Sequence, residues 1–405
     1  MSVNKGQTAP SKRVCMVVLA YYPLAETRVQ REAEALLANG YGVDVISLKL
    51  PHEPSYEVVR GVHVHRLPMG RRIQRNFTTL LAEYLRFLAL ATLKLARLYR
   101  KAHYQVIQVH NLPDFLVFSA LWPKLHGAKV ILDIHDVMPE FFAARTDRPM
   151  HSRPVRLVVK QEQWSCRFAD HVITVTDLWR QALIQRGVPP EKVSVVMNVA
   201  DARIFHRSVR RQHPNRPSDG LFRLFYHGTQ AHRYGLDILL QAVAQIRSEI
   251  PPMRVILHGT GEVHEKLVRL AQELEIADIV EFNTQFVPLT ELPLRIIQAD
   301  VGVVPYRRDL FTDGILPTKL MEYIALGLPV IASRTPAIAA YLDEDMVHLV
   351  NPEDVDDLAT GILKLYRDKA YRDALVVASE RFLRRYSWED QQDRYVKLMN
   401  RLCNG

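Results

Sequence analysis

Two polar residues lodged in an otherwise apolar helix, Lys319 and Glu322, have the types and spacing best suited to chemistry. They lie in Asp309–Arg334, DLFTDGILPTKLMEYIALGLPVIASR, which reads as loop, helix, tight turn and buried strand. Pro317 suits the first position of that helix, where a missing N–H costs nothing, and Gly327 suits its end. A lysine in a first helical turn is mildly unfavourable, because exposed N–H groups already make that end positive. An anion docked there reverses the sign: backbone donors, helix dipole and ammonium then converge on a phosphate. Glu322, an acceptor when ionised, suits a vicinal pair of sugar hydroxyls. The plain alternative is an i,i+3 surface pair worth about 0.2–0.5 kcal/mol.

Other candidates sit where buried strands give way to loops. Arg13–Ala20, Val43–Leu48, Gln105–His110, Lys129–Ile134 and His171–Thr176 are continuous apolar runs of the kind parallel sheets bury. In such sheets ligands lie beyond the strands' C-terminal ends. His110 and His135 occupy two such ends, with Asp136 and Glu140 beside the second; a histidine so placed is a ligand contact or a structural core residue. The loop Tyr21–Thr27 leads into a helix over Arg28–Asn39, placing Glu26, Thr27 and Arg28 at another mouth. Arg28 either meets a phosphate there or is a solvated helix residue. Strands are also read over Leu221–Tyr226, Met253–His258, Ile279–Phe282, Val301–Tyr306, Pro329–Ser333 and His348–Asn351. The first is followed by His227–Gly235 and a helix start, an arrangement that can cradle phosphate.

At 405 residues the chain has room for two domains and large cores, and its 48% hydrophobic and 24% charged content is that of globular proteins. Arg207–Gly220, polar with two prolines, reads as the linker between them. Cys15, Cys166 and Cys403 are too few and too scattered for a disulfide framework and point to a reducing cytosol. No cluster has zinc spacing, and the acid pairs Asp343/Asp345 and Asp354/Asp356 read as turn and helix-start residues rather than metal ligands. No stretch reaches the roughly 18–20 apolar residues of a spanning helix. A formal charge of +9 favours an anionic partner. In residues 70–104, eight basic residues interleaved with leucines face the single acid Glu83. That segment reads as an interfacial helix for an anionic membrane surface, or as a domain helix with its arginines snorkelling outward. It lacks the aromatic platform of single-strand binders, so nucleic acid is not expected.

LPTKLMEYIALGLPVIAS resembles the nucleotide-sugar segment of family-4 glycosyltransferases, and Asn198–Phe205 and the terminal FLRRYSWEDQQDRYVKLMNRL resemble further parts of that family. The resemblance implies the GT-B fold, two Rossmann-like doubly wound α/β domains facing across a cleft. It places the acceptor-side domain at 1–205, the linker at 206–220 and the nucleotide-sugar domain at 221–387, with 388–405 crossing back to the first. It also implies retention of anomeric configuration. Glu322 matches the donor-ribose glutamate and His135 the histidine that reaches the donor sugar. The family's second glutamate is replaced by Gly314, with Asp313 beside it. Arg233 and Lys319 are assigned the diphosphate, and Gly228, Thr229 and Gly259 the glycine-bearing turns. Phe286 and Val287 fall in the base-binding loop, and Asp313, Gly314, Ile315, Leu316, Pro317 and Thr318 line the donor loop. Glu26, Thr27, Arg28, His110, Asp136 and Glu140 fall on the acceptor side. The expectation is a cytoplasmic, peripheral enzyme without metal or resident cofactor, moving a sugar from a UDP- or GDP-linked donor to a glycan or lipid-linked acceptor. A nucleotide-sugar epimerase and a non-catalytic scaffold subunit are the alternatives.

Overall fold

The computed structural model describes residues 12–24, 26–71, 77–213, 219–250 and 252–404. The chain divides into two compact units: one runs to Met197 and resumes at Glu389, the other runs Asn198–Trp388.

The first unit carries β1 (Lys12–Val17), α1 (Thr27–Ala38), β2 (Tyr41–Leu48), β3 (Tyr56–Val59), β4 (Val62–Leu67), α2 (Phe77–Ala102) and β5 (Val106–His110). It continues with α3 (Leu121–Leu125), β6 (Lys129–Ile134), α4 (Met138–Thr146), α5 (Arg153–Phe168), β7 (His171–Thr174), α6 (Asp177–Gln185) and β8 (Val193–Val195). The strands form one sheet in the order β3-β4-β2-β1-β5-β6-β7-β8, parallel throughout except for the β3–β4 hairpin. The apolar runs sit in this sheet because helices cover both faces. Right-handed crossovers put α1 on one face and α2, α3 and α5 on the other. A helix over Asp114–Leu125 does not form as one piece. Asp114–Ala120 is 3₁₀, and the α-helix begins at Leu121, which leaves Pro123 in a first turn where its missing N–H is tolerated.

The second unit carries α7 (Arg207–Gln212), β9 (Phe222–His227), α8 (Leu236–Ile246), β10 (Met253–His258), α9 (His264–Glu273), β11 (Val280–Asn283), α10 (Leu292–Ile296) and β12 (Val301–Val304). Next come α11 (Thr318–Ala325), β13 (Val330–Ser333), α12 (Pro336–Tyr341), β14 (His348–Val350), α13 (Val355–Arg367), α14 (Lys369–Ala378) and α15 (Glu380–Arg385). Its sheet is parallel, in the order β11-β10-β9-β12-β13-β14. Part of the expected linker is thus a helix: Arg207 is held by Glu380 and the Val376 carbonyl, and Arg210 by the Gly327 carbonyl. Residues 214–218 of that linker, and 72–76 of the basic segment, lie outside the described residues. The chain then returns as α16 (Trp388–Asn404), whose Tyr395, Leu398 and Met399 enter the first unit's core beside Val14, Val29 and Val43.

Both sheets start in the middle. β1 is followed outward to one side before the chain crosses to β5 on its other flank, and β9 and β12 repeat the pattern. Each unit therefore has a switch point where crossovers diverge and a crevice opens at the strands' C-terminal ends.

Candidate active site

Lys319 lies at the second switch point. α11 begins after Pro317, so Lys319 falls in its first turn, as its spacing predicts, but its side chain is buried. Its Nζ donates to Tyr306 Oη at 2.9 Å and Tyr226 Oη at 3.4 Å, and lies 4.7, 4.9 and 5.1 Å from the ring centres of Tyr226, Tyr234 and Tyr306. β9 delivers Tyr226, the loop beyond it Tyr234, and the chain beyond β12 Tyr306. Three π faces around a desolvated ammonium hold it by about 0.5–2 kcal/mol each. Burial nevertheless pushes the Lys319 pKa down to about 8, with Glu322 partly offsetting the loss. Gly228 lies against the lysine: a Cβ there would stand 3.3 Å from Lys319 Cε and 3.4 Å from Nζ.

Glu322, one turn on, turns its Oε2 to within 3.1 Å of His227 Nε2, yet neither atom makes a hydrogen bond. Two buried polar atoms in that state suit a ligand hydroxyl. The glycine turns pack backbone on backbone: a Cβ on Gly259 would stand 2.2 Å from the Gly228 carbonyl oxygen, and one on Gly235 1.9 Å from that of Pro305. Arg233 lies over the Phe311 ring at 5.2 Å, and its carbonyl accepts the Arg307 N–H. Thr229 uses its carbonyl to accept the Tyr226 hydroxyl. Phe286 is 77% exposed, a free aromatic face beside the half-buried Val287. Leu316 and Pro317 are buried, Ile315 half-buried and Thr318 exposed at the helix start. Gly314 ends the 3₁₀ turn Thr312–Gly314, and Asp313 in it is paired with Arg308 at 2.7 Å.

On the first unit, His110 and His135 come together at the ends of β5 and β6. Their Nδ1 and Nε2 atoms are 3.1 Å apart, and Asp133 Oδ2 lies 3.2 Å from the former and 3.5 Å from the latter. Burial pushes His110 down to about 4, so it is neutral. Burial acts the same way on His135, but Asp133 outweighs it and raises the pKa. Asp133 is in turn held well below the carboxylate range, since Arg28 and His135 overcome its burial. Asn111 fixes the adjoining loop by donating to the Asp136 carbonyl and accepting the His135 N–H.

This cluster revises two sequence readings. Arg28 is neither at the mouth nor solvated: it is buried, with its guanidinium on Asp133, Glu32 and the Val196 carbonyl. Glu140 is likewise buried and bound to Arg186 at 2.6 Å, which removes it from an acceptor. Glu26 remains half-buried and Thr27 exposed at the start of α1, with burial raising the Glu26 pKa. His110, Asp133 and His135 also bring three potential metal ligands within 4.8 Å, which sequence spacing does not reveal. Asp133 already accepts from Arg28 at both oxygens and from Gln108 at Oδ2, so the trio is better equipped to share a proton than to hold an ion. The acid pairs have structural uses: Asp343 and Asp345 bind Arg381, and Asp354 caps α13. Asp133 and the tyrosine cage are the residues sequence reasoning missed.

Residues 25–199 match the Glycosyl transferase 4-like domain and residues 222–368 the Glycosyl transferases group 1 domain. The fold and these two domains place the chain among the family-4 GT-B glycosyltransferases. It is 25% identical to the D-inositol 3-phosphate glycosyltransferase of Thermomonospora curvata over 90% of this chain and 88% of that one. Against the GDP-mannose-dependent alpha-(1-6)-phosphatidylinositol monomannoside mannosyltransferase of Mycolicibacterium smegmatis the identity is 31%, over 42% of this chain and only 45% of that one. The sucrose-phosphate synthase of Thermosynechococcus elongatus shares the fold, with a TM-score of 0.78 at 21% identity over 96% and 99% of the two chains. The chain is a glycosyltransferase of that family.

Proposed function

We propose that the protein transfers a hexosyl or N-acetylhexosaminyl group from a UDP- or GDP-linked donor to a glycan or lipid-linked acceptor, with retention and without a metal. The observation that carries this reading is the ammonium of Lys319, caged by Tyr226, Tyr234 and Tyr306 beside Gly228. Departure of the nucleoside diphosphate is the demanding step, and fixed positive charge on its oxygens lowers that barrier. Lys319, Arg233 and the α11 N-terminus supply such charge, and no resident cofactor is needed. Glu322 takes the ribose hydroxyls through its unbonded Oε2, and Phe286 stacks on the base. We assign His135 the donor sugar's hydroxyls, with Asp133 holding its proton. A front-face departure and attack needs no dedicated protein base. The anionic inositol phosphate and phosphatidylinositol mannoside in the relatives' names support a charged or lipid-linked acceptor, and we place the reaction at the inner face of the cell membrane.

A donor panel tests this reading. Thermal unfolding with UDP, GDP, ADP and dTDP, with and without EDTA, should show one nucleotide stabilising the protein whether or not EDTA is present. At about 100 times its dissociation constant a ligand adds roughly 2.7 kcal/mol. Stabilisation that needs a divalent ion would remove the metal-independent mechanism, and none by any nucleotide would favour a scaffold.

A further inference from the structure

Taking His135 as the donor-sugar contact proposed above, we infer that Gln108 and Tyr395 are its positioning residues, linking the returning helix α16 to the carboxylate behind the imidazole. His110 and Asp133 are partners across the β5–β6 ladder and share a sheet face, and Gln108, two residues before His110, lies on it too. Gln108, His110, Asp133, Glu32 and Tyr395 are all fully buried. A buried amide costs free energy unless both its ends are bonded, and here both are. The Tyr395 hydroxyl donates to Gln108 Oε1 at 2.5 Å. Gln108 Nε2 donates to Asp133 Oδ2 at 2.9 Å and to Glu32 Oε2 at 2.8 Å. The reverse orientation would set the amide oxygen against two carboxyl groups, so Tyr395 and the acids together fix the amide one way round.

Asp133 Oδ2 is also the oxygen that meets the histidines, 3.2 Å from His110 Nδ1 and 3.5 Å from His135 Nε2. Arg28 balances the carboxylate's charge. Gln108, being neutral, adds a second fixed point without disturbing that balance, which is how a supporting shell sets the aim of a site residue. The same network grips the chain where it leaves and re-enters the unit. Arg28 Nη1 donates to the Val196 carbonyl at 2.8 Å. The Met197 N–H donates at 2.9 Å to Gln391 Oε1, one turn of α16 before Tyr395. Met197 is the last residue before the chain departs and Glu389 the first on its return, so His135 is tied to both crossings. Anchoring α16 alone needs no such chain. Tyr41 of β2 does it with one hydroxyl bond to Asn400 of that helix, at 2.8 Å and outside the network.

The test compares Tyr395→Phe and Gln108→Leu with the matched control Tyr41→Phe, all in the full chain. The readouts are nucleoside diphosphate release from UDP- and GDP-linked sugars and the imidazole NMR resonances of His135, identified by their loss in His135→Ala. Tyr395→Phe should lower kcat about tenfold and leave the donor KM nearly unchanged, since the misplaced group acts in the transition state rather than in ground-state binding. Gln108→Leu should lower kcat at least as far. Both should shift the His135 resonances in the ligand-free protein, a readout that needs no donor. In a His135→Ala background Tyr395→Phe should cost nothing further, because the group it positions is gone. Tyr41→Phe should match the wild type in rate and resonances. Unshifted His135 resonances or wild-type kcat in Tyr395→Phe would overturn the inference. So would equal losses in Tyr41→Phe and Tyr395→Phe, or a loss that multiplies with that of His135→Ala. Full activity in His135→Ala would remove the donor-sugar assignment itself, and the inference with it.

Discussion

Nucleoside diphosphate affinity should fall as pH rises through 8 if the buried Lys319 receives the phosphate, as proposed above. Desolvation depresses the Lys319 pKa to about 8. The caging tyrosines Tyr226 and Tyr306 are pushed the other way by burial and stay neutral there. The terminal phosphate of a diphosphate, with a pKa near 6, is about nine-tenths ionised at pH 7, and its charge changes little above pH 8. If only the ammonium form binds, the apparent Kd is the intrinsic value divided by the protonated fraction, so it doubles at about pH 8 and rises about elevenfold by pH 9. Binding should draw in about half a proton at pH 8, a figure calorimetry in buffers of differing ionisation heat can read. Lys319→Met should remove the pH dependence and weaken binding by about 1.5–3 kcal/mol, the value of a hydrogen bond to a charged group. The effect on stability of the free protein has the opposite sign. Between about 8 and the unfolded value near 10.4 the unfolded chain binds the extra proton, so the lysine's contribution to stability rises with pH there. Affinity that stays flat from pH 7 to 9, or a slope that survives Lys319→Met, would refute the reasoning.

Asp133→Asn should cost up to about 3–5 kcal/mol in denaturant unfolding at pH 7, because it removes one of the two acids paired with the buried Arg28 and leaves only Glu32. Asp133 is depressed below its unfolded value near 3.9, so the stability it supplies is present above that pH and lost as pH falls through the folded value; the variant should lose less on acidification. Phe286→Ala, at an exposed position, should leave the melting temperature unchanged while weakening nucleotide binding by about 1–3 kcal/mol, measured by calorimetry. Gly259→Ala drives a Cβ against the Gly228 carbonyl, and should lower the melting temperature and abolish stabilisation by nucleotide.

The parallel strands were legible because a strand buried on both faces must be largely apolar, and the runs in β1, β6 and β13 carry that mark. Lys319 was legible for the opposite reason, as a charge inside an apolar helix. What surrounds it was not: Tyr226, Tyr234 and Tyr306 come from separate segments, each unremarkable in its own. Asp133 hid inside the run KVILDI, read as a buried strand, where nothing marks one acid as the centre of an Arg28, Gln108, His110 and His135 network. Arg28 misled because sequence periodicity cannot say that an arginine on α1 faces inward to meet an acid on β6. The leucines of α2 were legible as a basic amphipathic run.

The most direct measurement is release of nucleoside diphosphate by the purified full chain, given UDP- and GDP-linked sugars in EDTA with a lipid-linked acceptor. Release from one donor class, strongly reduced in Lys319→Met and Glu322→Gln variants that melt like the wild type, is the predicted result. No release from any donor, or full release by the Lys319→Met variant, would contradict the account.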